Sequence, residues 1–398
     1  MTNTFTADSH SARIDLRFEV YLCLSVAARA RVSRQVVDMT TERERDHKSE
    51  VFSKALRDVI VTDNAVPDAY LWPKQELGPM LGHEEFGEDG IPLIDLGGFE
   101  ELDNNQRRQI YDRIRGACAT YGFFQVVNHG VDLRILDRIQ AASKKFFDVP
   151  LETKEKLECK LEGDRLLGYG FYKSSKLKTQ RRNWSEGLFV DKPHIARVSS
   201  TVWPEDTDSQ TEFSESVEEY VGALRELGLR LTRLILNSLG VYPETYDKYM
   251  PKEPALMRLN HYPPCPDPSK TVGLVPHHDA NFFTILHQGD VGGLQVKKDE
   301  GWVAVRPYPN AFAVNAGNML QVISNDICKS VLHKAVVNQD SDRYSIAYFV
   351  QAPDWDHIAP LPELVDAAHP VKYRPFTWPE YLESQLANPS NALKNFEL

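Results

Sequence analysis

The sequence predicts a mainly β protein with flanking helices, built around a barrel or double-sheet jelly roll. Two observations carry this. Between Ala255 and Val350, short β-rich runs are punctuated by PPCPDP, QGDVGG, KKDEG, YPNA and NAGN, the turn chemistry of many closely spaced strands. Upstream the apolar residues fall instead on helical spacing, and 398 residues at 42% hydrophobic content suffice for one large or two modest cores.

The elements follow in chain order. From about Thr40 to Gly90 the chain is charged and broken by prolines (VPDAYLWPKQELGP), which reads as an extended arm. With the residues before it, this makes 1–88 a variable or disordered extension, of which the first 38 could lie upstream of a start at Met39. Val20 to Ala30 is short and apolar, but Asp8, Asp15 and Glu19 precede it where a leader prefers positive charge, so no signal peptide is expected. The region 89–245 opens on IPLIDLGG, a β-like run, after which Leu102, Ile110, Ile114, Ala117 and Tyr121 take helical spacing. GFFQVVNHG is a second strand, and Leu133, Leu136, Ile139, Ala142 and Phe146 mark a helix that Pro150 stops. Between Lys154 and Asp208 periodicity fades, and loops with short strands are expected. It returns from Phe213 to Leu239 as a long amphipathic helix ended by Gly240. The β-rich core spans 250–355, and 356–398 is a C-terminal helical segment.

Composition narrows the function classes. With 57 acidic against 46 basic residues the formal charge is −11, and no basic run is interleaved with aromatics, so nucleic acid is not an expected partner. No apolar stretch approaches the roughly 18 residues that span a bilayer. The five cysteines are scattered with no CxxC pair, which argues against a disulfide framework or zinc ribbon and for a reducing, cytoplasmic setting.

The chemistry concentrates in VPHHDANFFTILHQ. In a strand, residues i and i+2 share a face, so His277 and Asp279 can point together into a sheet interior while His278 faces the other way. An HxD pair alone is weak evidence in a chain with 12 histidines. A third ligand is offered by His333 in SVLHKAVV, on another β-like run. Two imidazoles and one carboxylate make the facial triad that holds non-haem Fe(II) and leaves open positions, whereas structural zinc more often takes four protein ligands. Just downstream, RYSIAYF places Arg343 and Ser345 at i and i+2, where the guanidinium can bind a carboxylate through two charge-assisted hydrogen bonds. RLNHYPPCP likewise places Asn260 and Tyr262 on one face of the preceding strand, Tyr262 as a phenolic donor and Asn260 as support.

NHYPPCP, GLVPHHDANFFTILHQGDVGGLQV, LQVISND, KSVLHKAVV and RYSIAYF, with the upstream IPLIDL and GFFQVVNHGV, together resemble the Fe(II)/2-oxoglutarate-dependent dioxygenases of plant specialised and hormone metabolism over about residues 90 to 385. The resemblance implies a distorted double-stranded β-helix core, iron ligands at His277, Asp279 and His333, and 2-oxoglutarate-binding residues at Tyr262, Arg343 and Ser345. It implies a small-molecule substrate, dioxygen and supporting ascorbate, and a monomer. Two positions depart from the family pattern: His278 stands where threonine is usual, and Asn318 where the NxGD turn has aspartate.

The remaining candidates read as structural. His129, His261, His287 and His357 lack comparable partners, and Gly292 and Gly293 suit a hairpin turn better than a phosphate loop. Phe282, Phe283 and Leu286 mix core with one substrate-facing position. RRNWSEGLFV, VWPED and KYRPFTWPEYL look most like the gibberellin oxidase branch. The expected substrate is therefore a gibberellin or a diterpenoid precursor such as ent-kaurenoic acid, with 2-oxidation favoured and Arg181 or Arg182 available for its carboxylate. The alternatives are an oxygenase of the same fold acting on a flavonoid, an auxin or another small acid, and a non-catalytic small-molecule binder.

Overall fold

Two long strands, buried on both faces, send alternate side chains to a helical core and to a cavity. The computed structural model describes residues 65–73, 90–162, 165–170, 181–241, 256–299, 301–351, 357–388 and 391–398. Most of the N-terminal extension, including Val20–Ala30 and Met39, lies outside the described residues.

The N-terminal part runs β1 (Leu93–Asp95), α1 (Asn104–Thr120), β2 (Phe123–Val127), α2 (Leu133–Asp148), α3 (Leu151–Lys154), β3 (Lys160–Glu162), β4 (Arg165–Gly170), β5 (Glu186–Asp191), α4 (Ile195–Val202) and α5 (Thr207–Leu239). The β-rich part follows with β6 (Leu256–Tyr262), β7 (Leu274–His277), β8 (Phe283–His287), β9 (Leu294–Lys298), β10 (Gly301–Ala304), β11 (Phe312–Ala316), α6 (Asn318–Ile323), β12 (His333–Ala335), β13 (Arg343–Val350) and α7 (Trp378–Ala387). Among the described residues these strands form a sheet of nine in the order β1-β2-β11-β8-β13-β6-β5-β4-β3, and a sheet of four in the order β10-β9-β12-β7. All pairs but β1–β2 are antiparallel.

Helix starts follow local capping. Asp103 accepts from the backbone N–H groups of Asn105 and Gln106 and completes a capping box with Gln106. Thr377 does the same with Glu380 at the start of α7. The long helix α5 ends at Gly240 as expected but starts at Thr207, earlier than its apolar stripe, because the Asp206 side chain caps Ser209 N–H. The stretch read as loops between Lys154 and Asp208 holds a further helix, α4. Ile195, Val198, Ser199 and Val202 are buried there at i, i+3, i+4 and i+7, a stripe too short to stand out from sequence alone.

The largest core lies between the helices and one face of the nine-stranded sheet. Tyr344, Ile346, Tyr348 and Val350 of β13 and Met257 and Leu259 of β6 enter it, together with Tyr220, Leu224 and Leu231 of α5. The alternate residues of the same strands face the cavity. That division fixes which side chains can carry chemistry.

Behind β6, on the helical side, lies a buried ionic network. Lys154 Nζ donates to Glu186 Oε2 at 2.9 Å and to the Phe147 carbonyl at 2.7 Å. Tyr169 donates its hydroxyl to the same carboxylate oxygen. His261 bridges Glu186 Oε1 at 2.7 Å and Asp342 Oδ1 at 2.5 Å, with Tyr344 stacked on its ring. Burial alone would raise the Glu186 pKa, but the His261 hydrogen bond and the Lys154 charge outweigh it and hold the carboxyl below its ordinary value. For His261 burial works downward, and the two carboxylates reverse it and raise the imidazole. The stabilisation from His261 is thus complete below its unfolded value and fades as pH rises through its raised folded pKa; that from Glu186 fades as pH falls through its lowered one. Melting temperature measured against pH should fall on the alkaline side in wild type and fall less steeply in His261→Gln, and parallel curves would contradict the assignment. Lys154→Met, which removes the ammonium but leaves His261 and Tyr169 on Glu186, should lower the melting temperature and cost less than about 3–5 kcal/mol, the loss for a wholly uncompensated buried charge.

Candidate active site

The site is assembled where the two sheets face each other. In the small sheet, His333 is the register partner of His277, so antiparallel pairing alone sets two imidazoles side by side, ring centroids 4.2 Å apart. Each ring is turned by its own strand: the Val275 carbonyl lies 2.8 Å from His277 Nδ1, and the Val331 carbonyl 3.1 Å from His333 Nδ1. A proton on Nδ1 satisfies each carbonyl and leaves the Nε2 lone pair free for a metal. Burial first, and the neighbouring His333 second, hold His277 down at about 3, so it is neutral at pH 7.

Asp279 completes the group. Its Oδ1 lies 3.6 Å from His277 Nε2 and 3.7 Å from His333 Nε2, and the three residues form a cluster, among the described residues, whose ligand atoms are close enough to hold one metal ion. Burial pushes its carboxyl up, but the two imidazoles and the donors Thr284 and Asn315 prevail and hold it below its ordinary value. One expectation needs correcting here. β7 ends at His277, so Asp279 sits in the loop beyond it, where its carbonyl accepts from Asn318 N–H instead of joining a ladder. His278 does turn the other way, its Nδ1 3.0 Å from the Ser330 carbonyl, and lines a separate polar cavity with Asn318.

Across the cavity the large sheet presents a second row. β6 and β13 pair Tyr262 with Arg343 and Asn260 with Ser345, and all four side chains line the cavity that holds His277, Asp279 and His333. The Arg343 guanidinium lies over the Tyr262 ring at 4.8 Å and donates from Nε to the Val291 carbonyl at 3.2 Å. Its Nη1 is buried with no protein partner, as is Asn260 Oδ1. A buried cationic donor without an acceptor is costly, and a dicarboxylate reaching it would satisfy it. The donor set therefore fits the pair: an N,N,O triad for Fe(II) and, on Arg343, one unpartnered guanidinium nitrogen for a far carboxylate.

Other sequence expectations sort cleanly. His129, His261, His287 and His357 stand outside the metal cluster. Phe282 and Phe283 are core, while Leu286 lines the cavity. Neither Arg181 nor Arg182 lines it; Arg182 lies beside Tyr70. The arginine that does is Arg258, stacked on Phe189 at 4.8 Å, with a charge that reaches His277. Sequence reading passed over it, although the alternation that selected Asn260 and Tyr262 extends to residue 258. Thr284 and Asn315 were also missed, since their role depends on a cross-strand pairing that the sequence does not display.

With this geometry in place, comparison with known proteins is direct. Residues 254–352 match the 2OG-Fe(II) oxygenase superfamily, and residues 91–207 match the non-haem dioxygenase in morphine synthesis N-terminal family. Gibberellin 3-beta-dioxygenase 4 of Arabidopsis thaliana is 38% identical over 74% of this chain and 82% of its own length. Lateral branching oxidoreductase 1 of the same plant is 34% identical over 84% of this chain and 92% of its own. Among solved structures, JOX2 in complex with 2OG, Fe and JA superposes with a TM-score of 0.69 at 34% identity, covering 82% of this chain and 92% of that one. The chain belongs to the 2OG-Fe(II) oxygenase superfamily and is a 2-oxoglutarate-dependent dioxygenase with the jelly-roll fold of its neighbours.

Gly293 lies not in a hairpin turn but in the crossover from β8 of the large sheet to β9 of the small one, against the site. A Cβ there would stand 2.7 Å from the Val336 carbonyl and 3.0 Å from Arg343 Cδ, at a backbone φ of +149°. Gly293→Ala should destabilise the fold by more than about 1 kcal/mol and displace Arg343, seen as a lower melting temperature together with weaker 2-oxoglutarate binding. Unchanged 2-oxoglutarate affinity would show that the guanidinium does not depend on this close approach.

Proposed function

We propose that the protein hydroxylates a small carboxylated plant metabolite, a gibberellin or a diterpenoid precursor, with Fe(II) held by His277, Asp279 and His333 and 2-oxoglutarate held by Arg343, Ser345 and Tyr262, Asn260 supporting. Fe(II) with 2-oxoglutarate and dioxygen supplies the oxidation, in which 2-oxoglutarate is converted to succinate and carbon dioxide and one oxygen atom enters a substrate C–H bond. The chain's own contribution is binding and orientation. Arg343 offers its unpartnered Nη1 to the far carboxylate, and Ser345 adds a hydroxyl from the same face of β13. The neutral His277 keeps its lone pair for the metal without competition from a proton near pH 7.

One observation carries the substrate class. Arg258 is a second guanidinium in the same cavity, at the other end of the β6 face from Tyr262 and Arg343. Arg258 adds a second positive charge to the cavity lining, which favours an anionic group on the substrate, while Leu274, Leu286 and Phe349 offer apolar surface for a hydrocarbon skeleton. The names of relatives support this: gibberellin 3-beta-dioxygenases and gibberellin 20 oxidase 2 of Arabidopsis thaliana stand among them.

The test pairs each candidate acid with its methyl ester, in assays containing Fe(II) and 2-oxoglutarate that follow succinate and hydroxylated product. Acids should react and esters should not. Arg258→Leu should raise the apparent KM for the acid roughly 10- to 150-fold, the equivalent of one charge-assisted contact of about 1.5–3 kcal/mol. Equal turnover of ester and acid, or preference for neutral phenolics, would overturn the substrate class. Arg343→Lys keeps the charge but loses the planar fork, and should raise the 2-oxoglutarate requirement with little change in substrate KM.

A further inference from the structure

Asp279 has two carboxylate oxygens, and they are treated differently by the fold. Oδ1 faces the imidazoles of His277 and His333 at 3.6 and 3.7 Å. Oδ2 accepts from Thr284 Oγ1 at 2.6 Å and from Asn315 Nδ2 at 2.7 Å. The two donors are neither accidental neighbours nor on one element: Thr284 of β8 and Asn315 of β11 are register partners, and both are buried.

The direction of the Thr284 hydroxyl is set as well. Asn281 Nδ2 donates to Thr284 Oγ1 at 3.1 Å and to the Phe283 carbonyl at 2.8 Å, and of the two acceptors within reach of the Thr284 hydroxyl the Asp279 carboxylate at 2.6 Å prevails over Asn281 Oδ1 at 3.4 Å. The main chain is pinned too. Asn318 N–H donates to the Asp279 carbonyl at 2.8 Å, and Gly317 N–H to the Phe282 carbonyl at 2.9 Å. A Cβ on Gly317 would fall 2.0 Å from the Asn281 carbonyl, so no other residue allows this approach. The NAGN stretch, which on sequence is only a turn, thus closes over the Asp279 loop.

We propose that Thr284 and Asn315 are positioning residues that make Asp279 a one-oxygen ligand, the inference resting on the reading of His277, Asp279 and His333 as the iron ligands. With both donors on Oδ2, the carboxylate cannot rotate to present both oxygens without abandoning two charge-assisted hydrogen bonds in a buried site. A two-oxygen carboxylate would occupy a position that 2-oxoglutarate or dioxygen requires. The clamp therefore keeps open positions open, and its loss is read in cosubstrate binding.

The experiment uses the full chain under anaerobic conditions, titrated first with Fe(II) and then with 2-oxoglutarate, binding followed by intrinsic fluorescence and the apo melting temperature recorded alongside. Thr284→Val and Asn315→Ala should weaken 2-oxoglutarate binding to the iron-loaded protein by tenfold to a hundredfold. Thr284→Ser, which restores the hydroxyl, should bind within about threefold of wild type, which separates loss of the donor from loss of fold. Iron-loaded Thr284→Val that binds 2-oxoglutarate as wild type does would overturn the clamp, as would a Thr284→Ser variant as weak as Thr284→Val. Wild type that binds no Fe(II) would instead overturn the ligand assignment beneath it.

Discussion

The register of β7 against β12 is the constraint on which the rest of the site depends. Because His333 pairs with His277, two imidazoles 56 positions apart in sequence (333 − 277) become neighbours on one inner face. A one-residue slip would turn His333 outward and bring in Lys334, ending the cluster outright. The Lys334 ammonium lies 4.2 Å from the centre of the Trp302 ring. Nothing in the His277 or His333 neighbourhoods taken singly distinguishes a ligand from a buried structural histidine.

Facing this pair, the large sheet uses alternation rather than register to divide labour. Along β13 the residues Tyr344, Ile346, Tyr348 and Val350 serve the helical core, and Arg343, Ser345, Ala347 and Phe349 serve the cavity. The same split in β6 gives His261 to the ionic network behind the sheet and Asn260 and Tyr262 to the site in front. The two halves share a backbone, so the Lys154–Glu186–His261–Asp342 network holds the strand that carries the front row. Charge on the helical side of β6 is thereby matched internally, whereas on the cavity side Arg343 keeps one buried nitrogen, Nη1, without a protein partner.

Much of this was legible in sequence because alternation and motif spacing are local properties. The row formed by Asn260, Tyr262, Arg343 and Ser345 follows strand alternation, and His277 and His333 meet across paired strands, while Asp279 reaches them from the loop after β7. What was not legible depends on distant pairing. Thr284 and Asn315 meet only across β8 and β11, and the departure of Asp279 from strand geometry follows from the backbone of Asn318, contributed by a separate helix. Helix α4 was hidden by its length, and Arg258 by the pull of the more conspicuous basic pair Arg181–Arg182.

The central claim is that one iron and one 2-oxoglutarate occupy the space between the two sheets in a fixed orientation. The most direct test is a crystal structure of protein loaded anaerobically with Fe(II) and 2-oxoglutarate, with anomalous data collected at the iron edge. The account predicts a single strong peak bonded to His277 Nε2, Asp279 Oδ1 and His333 Nε2, and a 2-oxoglutarate whose far carboxylate sits on Arg343. A peak outside this triad, or 2-oxoglutarate bound without Arg343, would contradict it.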